Sequence, residues 1–397
     1  MSRPEIVILS ASRTAIADFG GSLKDVKPTE LAAEIVKDVV KKAGVEGKDI
    51  GHVVFGNVLH SDRKDMYISR VAAINGGLPK ETPAVTVNRL CGSGLQAIVS
   101  AAQMIWLGDC TAAVAGGAES MSRVPYWLPS ARFGQRMGDA AMVDAMTGAL
   151  TCPFDDVHMG ITAENIAEKW HISREEQDQL AVESHQRAEN AIKNGFFDSQ
   201  ILPIEVKTRK GVQVFDTDEH VRHGVTEADM AKLRPVFKKD GTVTAGNASG
   251  LNDAAAGIVM MEKSLAESKG LTPLVKLVDY AFAGVEPKYM GIGPVPAVKH
   301  LLEKTGLTIA DIDLWELNEA FASQALAVIK DLGLPREKVN PNGSGISLGH
   351  PIGATGALIT VKAIHELKRT GGKFAVITMC IGGGQGIAAL IENCDPA

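Results

Sequence analysis

The sequence has little cysteine, no surplus of positive charge and no long apolar run. Five of the 397 residues are cysteine: Cys91, Cys110, Cys152, Cys380 and Cys394. None forms a Cys-x-x-Cys pair and no histidines stand at zinc-ligand spacing, so the pattern speaks against a disulfide framework or a metal site and for reduced thiols in a cytoplasmic protein. The formal net charge is −6, which removes the global basic field of a nucleic-acid binder. An anionic ligand would need a local basic pocket. No membrane span and no leader ahead of the strand-like Ile6-Val7-Ile8-Leu9 are expected, and the ending Cys394-Asp395-Pro396-Ala397 does not read as a peroxisomal address. With 45% apolar and 22% charged residues, the expectation is a soluble globular chain of two or three domains.

What is present is a repeat. Residues 36–55 (VKDVVKKAGVEGKDIGHVVF) lie over residues 298–317 (VKHLLEKTGLTIADIDLWEL) without a gap, displaced by 262 positions. Each copy reads as an amphipathic helix, a glycine stop, an acidic turn and an apolar strand. The same displacement puts Cys91 on Gly353, three residues after His350, and the strand 112–117 over 374–379, just before Cys380. Strand–helix alternation in both copies predicts α/β architecture with covered sheets. The segment between them differs, being charged and helical around Ser173-Arg174-Glu175-Glu176, a capping-box start for a helix ending near Gly195. Its earlier part carries Tyr126, Trp127, Leu128 and Phe133 without periodicity; a subunit contact and a loop folded on its own domain both fit. The expected division is 1–120 plus 250–271, an inserted 121–249, and 272–397.

Four stretches carry chemistry. In VNRLCGSGLQAI, Cys91 stands at the mouth of a helix, where unpaired N–H groups would lower a thiol pKa and face a developing oxyanion. In NGSGISLGHPIGATGAL, Pro351 suits a helix start and holds His350 extended just ahead of it, placed to act as base for a thiol. In TMCIGGGQG, a strand delivers Cys380 into three glycines that admit a substrate and free an N–H such as that of Gly382. A dinucleotide fingerprint there is a misreading, because too few residues remain for a βαβ unit. In ELNEAFASQAL, Asn318 follows an apolar strand, where α/β folds place their sites. Singly, His350 reads as a loop residue and Asn318 as a helix start; the repeat is what sets His350 apart.

Together, VNRLCGSGLQAI, NEAFA, GHPIGATG and CIGGGQG resemble the thiolases, in that family's order and over the whole chain. The resemblance implies two βαβαβαββ-type halves in an αβαβα layered arrangement with an inserted loop domain, assembled as a homotetramer (a dimer of dimers). It implies Cys91 as acyl-accepting nucleophile, His350 as its activator and a donor to the thioester oxygen, and Cys380 as acid/base at the α-carbon. Asn318 would hold a water in one oxyanion hole, and the Cys91 and Gly382 amides would form the other. Coenzyme A, as substrate and not as a tightly bound cofactor, would meet Leu150, His158, Met159, Arg222, Ala245, Ser249, Ala320 and Phe321, with His223 adding charge beside Arg222. Asp229 stands where relatives carry a serine near the adenine, and Ser344, Ser347 and Thr355 depart from the commoner loop. That variant resembles bacterial β-ketothiolases that accept chains longer than acetoacetyl. Cys110, Cys152 and Cys394 match no family role and are expected to pack. An acetoacetyl-CoA-specific thiolase, a decarboxylating ketoacyl-synthase-type condensing enzyme and a non-catalytic scaffold are the competing readings. The second cysteine in MCIGGG speaks against the condensing enzyme, and three reactive residues in glycine-lined loops speak against the scaffold.

Overall fold

The structure is a computed structural model describing residues 3–209 and 211–396. Its first half holds β1 (Ile6–Arg13), α1 (Pro28–Ala43), β2 (His52–Gly56), β3 (Ala84–Val87), α2 (Ser93–Leu107) and β4 (Ala112–Ser120). The insertion contributes α3 (Met159–Lys169) and α4 (Arg174–Lys193). Then follow β5 (Asn252–Glu262), β6 (Val275–Gly284), α5 (Pro294–Thr305), β7 (Leu314–Leu317), α6 (Ala322–Leu332), α7 (Ile352–Thr370), β8 (Phe374–Ile381) and β9 (Gln385–Asn393).

The repeat is structural. Both α1 and α5 begin on proline and stop at a left-handed glycine, Gly44 (φ 68°) and Gly306 (φ 70°), a position where a side chain would be strained. A short 3-10 turn follows each, Gly47–Asp49 and Ile309–Asp311, and then the matching strands β2 and β7. The hydrogen-bonded path runs β7-β8-β9-β6-β1-β5-β4-β2-β3. The halves meet where Ile6, Val7 and Ile8 pair with Leu277, Lys276 and Val275. Strands β2, β3 and β4 are parallel, as are β7 and β8, and the remaining named pairings are antiparallel.

Three apolar clusters define five layers. One lies around α2 and α7, between the two halves of the sheet; one joins α1 to the first half; one joins α5 and α6 to the second. The inner helices cross closely. A Cβ on Gly356 would sit 2.3 Å from the Leu95 nitrogen, and one on Gly94 2.6 Å from the Ala357 nitrogen, so glycine is required at this crossing. Residues 90–107 have the length and hydropathy of a membrane span, contrary to the expectation that no stretch does, but they form this mostly buried inner helix. The insertion is pinned to β1 by Arg13, whose guanidinium pairs with Asp218 (2.7 Å) with both side chains fully buried. Helix α4 begins at Ser173 in a capping box with Glu176, as its sequence implies. Tyr126, Trp127, Leu128 and Phe133 are exposed, Phe133 at 93%.

Candidate active site

Cys91 sits in a turn fastened by its own neighbours. The Leu90 N–H donates to Asn88 Oδ1 (2.9 Å), Ser93 Oγ donates to the Leu90 carbonyl (2.7 Å), and Leu90 takes a left-handed φ of 45°. Helix α2 starts two residues after Cys91. The Gly382 N–H and the cysteine's own backbone N–H, the two amides proposed as an oxyanion hole, act on the thiol to lower its pKa. Burial nonetheless pushes the thiol up to about 11, which corrects the expectation of a lowered pKa. A helix mouth stabilises a thiolate only against the cost of removing it from water, and that cost wins here. Cys91 therefore rests as a thiol and needs a base.

His350 lines the same cavity as Cys91. His350 precedes α7, its backbone N–H donating to Asn252 Oδ1 (2.9 Å) on β5 of the other half. Its Nδ1 lies 2.7 Å from Thr355 Oγ1 and its Nε2 3.5 Å from Asn318 Nδ2. Burial lowers its pKa to about 4, so the imidazole is neutral. Glu119 at the end of β4 accepts from the Gly353 N–H (2.9 Å) and from the Val58 and Leu59 amides (3.1 Å each), fixing the start of α7 against the first half. Cys380 is almost fully buried on β8, and burial and the neighbouring Cys91 push its thiol well above the ordinary range. Gly383 and Gly384 (φ 85° and 86°) make the turn that brings the Gly382 amide to Cys91.

These groups share one cavity of about 370 Å³ with Leu150, His158, Met159, Arg222, Ala245, Ser249, Ala320 and Phe321. Of the five catalytic residues expected from the sequence, Asn318 alone does not line it: fully buried, it reaches the site through His350, and its Oδ1 has no hydrogen-bond partner among the described residues. His158 caps α3 through Nδ1, which accepts from the Gly160 N–H (3.0 Å), and stacks on Phe237 at 4.6 Å. Phe237 meets Phe321 edge-on, completing an aromatic wall.

Other residues on that wall were not foreseen. His220, held by the Asp18 carboxylate, lines the cavity beside Arg222, whereas His223 pairs with Glu189 at 3.5 Å and is absent from the lining. The basic stretch DEHVRHG held that signal two residues earlier than it was read. Phe237, Met121 and Met290 carried no sequence signal at all. Asp229 is occupied in a capping box with Thr226 and an ion pair with Lys232, away from the cavity lining. Cys110 and Cys152 are buried as expected, but Cys394 is exposed near the chain end. Among the described residues no group of three histidine, cysteine or carboxylate side chains could hold a metal.

Residues 6–264 match the thiolase N-terminal domain and residues 271–393 the thiolase C-terminal domain. The chain belongs to the thiolase family. This thiolase is 65% identical over 390 residues to beta-ketothiolase BktB of Cupriavidus necator, covering 98% of this chain and 99% of that protein. Its fold superposes on the crystal structure of the Bacillus anthracis acetyl-CoA acetyltransferase with a TM-score of 0.96, at 49% identity over 99% of both chains. It superposes on human mitochondrial 3-ketoacyl-CoA thiolase in complex with CoA with a TM-score of 0.95, at 44% identity over 98% of both chains.

Proposed function

We propose that this thiolase catalyses the reversible thiolytic cleavage of 3-ketoacyl-CoA, and in reverse the Claisen condensation of acetyl-CoA with acyl-CoA, through an acyl group on Cys91. The observation that carries this is the convergence of two thiols, a neutral imidazole and an inward N–H at the bottom of one cavity. In cleavage, His350 Nε2 takes the Cys91 proton and the sulfur attacks the keto carbonyl. The Cys91 and Gly382 amides stabilise the oxyanion. As the carbon–carbon bond breaks, the Cys380 thiol, kept protonated by burial, delivers its proton to the departing acetyl-CoA carbanion. The incoming CoA thiol gives its proton to the Cys380 thiolate and attacks the Cys91 thioester. Cys91 leaves and recovers its proton from His350. Asn318, behind His350, would hold the water that completes the oxyanion hole at the thioester oxygen.

The wall formed by His158, Phe237 and Phe321 fits a pantetheine arm, and Arg222 supplies the local positive charge that the phosphates of CoA require, with the His220 ring beside it. CoA enters as substrate, with no tightly bound cofactor. Pairing of β5 with both β1 and β4 supports the division into 1–120 plus 250–271, 121–249 and 272–397. The exposed aromatic loop supports subunit contacts in a homotetramer, and free thiols throughout the described chain support a cytoplasmic setting.

The cavity lining includes Met121, Met159 and Met290, unbranched side chains that rearrange around guests of different length. Each methylene buried adds about 0.8 kcal/mol, whereas a closed pocket would lose about 1–3 kcal/mol to overpacking. A ladder of 3-ketoacyl-CoA substrates therefore gives kcat/KM for five- and six-carbon chains within roughly tenfold of acetoacetyl-CoA. A fall of more than about a hundredfold at five carbons makes the enzyme acetoacetyl-specific, and no cleavage at any length overturns the thiolase activity.

The pH dependence follows from His350. Its pKa is lowered to about 4, so the neutral, proton-accepting form persists well below the ordinary 6.5. Single-turnover acylation of Cys91 by acetyl-CoA should slow by less than about threefold between pH 7 and pH 5.5. An acid limb centred near 6.5 would mean a solvated imidazole.

A further inference from the structure

We propose that Thr355 is a positioning residue that sets the tautomer of His350, holding the hydrogen on Nδ1 and leaving Nε2 unprotonated, an acceptor toward Asn318 at rest and toward a proton in turnover. The inference rests on the thiolase reading only for the identity of the proton His350 takes, that of Cys91. Thr355 is buried in the first turn of α7. Its hydroxyl lies 3.0 Å from the Pro351 carbonyl, four residues back, in the helical rotamer a threonine adopts to reach that oxygen. The same Oγ1 lies 2.7 Å from His350 Nδ1.

A buried neutral imidazole has one N–H, and leaving it unpaired is costly. With the Asn318 amide nitrogen facing Nε2, one direction of donation pairs every hydrogen along the line. Asn318 Nδ2 donates to Nε2, Nδ1–H donates to Thr355 Oγ1, and the Thr355 hydroxyl donates to the Pro351 carbonyl. In the opposite direction, Nε2–H would point at an amide nitrogen that has no lone pair to offer. Because the Asn252 bond fixes the backbone of His350 and not its ring, Thr355 is the group that decides where the ring hydrogen sits.

The test compares Thr355→Val, which keeps the shape and removes the hydroxyl, with Thr355→Ser, which keeps the hydroxyl. Single-turnover acylation of Cys91 by acetyl-CoA is followed by mass spectrometry, acetyl-CoA affinity is measured separately, and the His350 ring nitrogens are read by 15N NMR. Thr355→Val should slow acylation by about a hundredfold or more with acetyl-CoA affinity held, and Thr355→Ser should stay within about fivefold of wild type. The wild-type NMR signature should be hydrogen on Nδ1. Acylation by Thr355→Val at the wild-type rate, or hydrogen on Nε2 in the wild-type protein, overturns the proposal. If Thr355→Val does not fold, the wild-type and Thr355→Ser spectra decide. A wild-type protein with hydrogen on Nδ1 but no thiolysis would refute the thiolase activity and leave the tautomer assignment standing.

Discussion

Cys380→Ala should still take an acetyl group from acetyl-CoA onto Cys91 yet lose condensation and α-proton exchange by about 10²–10⁴-fold, while Cys91→Ala should form no acyl-enzyme at all. The two thiols stand together on one cavity wall but meet different needs. Cys91 has the Gly382 and Cys91 amides favouring its thiolate and, in the proposed reaction, neutral His350 as base, which is what attack on a carbonyl requires. Cys380 is more deeply buried and holds its proton more tightly, which suits a donor to a carbanion. Nucleophilic attack therefore does not pass through Cys380. Intact-mass analysis after acetyl-CoA treatment, with deuterium exchange into acetyl-CoA, separates the two roles. Failure of Cys380→Ala to become acetylated, or full turnover by it, would refute the division.

Asp218→Ala should lower stability by about 3–5 kcal/mol, read as the urea midpoint of the protein, because it leaves the Arg13 charge buried without its partner. Arg13 is committed on every side: Nε donates to Gln200 Oε1 (2.7 Å), Nη1 and Nη2 donate to the two Asp218 oxygens (2.7 and 2.8 Å), and the guanidinium lies over the Phe197 ring at 4.9 Å. Asp218 also accepts from the Ile16 N–H (2.9 Å). Replacing both partners, as Arg13→Met with Asp218→Leu, should recover most of the loss, since no isolated charge then remains. The same loop carries His220 and Arg222 to the cavity, so Asp218→Ala should also raise KM for CoA. A midpoint unchanged in Asp218→Ala would mean that Arg13 finds water in solution.

Features that depend on neighbours along the chain were legible in the sequence. Gly44 and Gly306 end their helices, Ser173 with Glu176 starts another, and the 262-residue displacement places β4 and β8 at matching positions, because caps, stops and strand patterns are local. The four motifs, through their resemblance to the thiolases, likewise singled out Cys91, Asn318, His350 and Cys380 as candidates. What those residues do to one another was decided by the tertiary structure. A helix-mouth cysteine read alone is a candidate thiolate, yet the opposite half covers Cys91 and raises its pKa, and the same burial keeps His350 neutral. His220 joined the cavity because Asp18, on a distant stretch of chain, holds it there. Arg13 and Asp218 met only once the insertion had folded onto β1. Sequence pattern expresses local backbone preference, whereas desolvation and long-range pairing depend on which surfaces the two halves bring together, and those exist only in the folded chain.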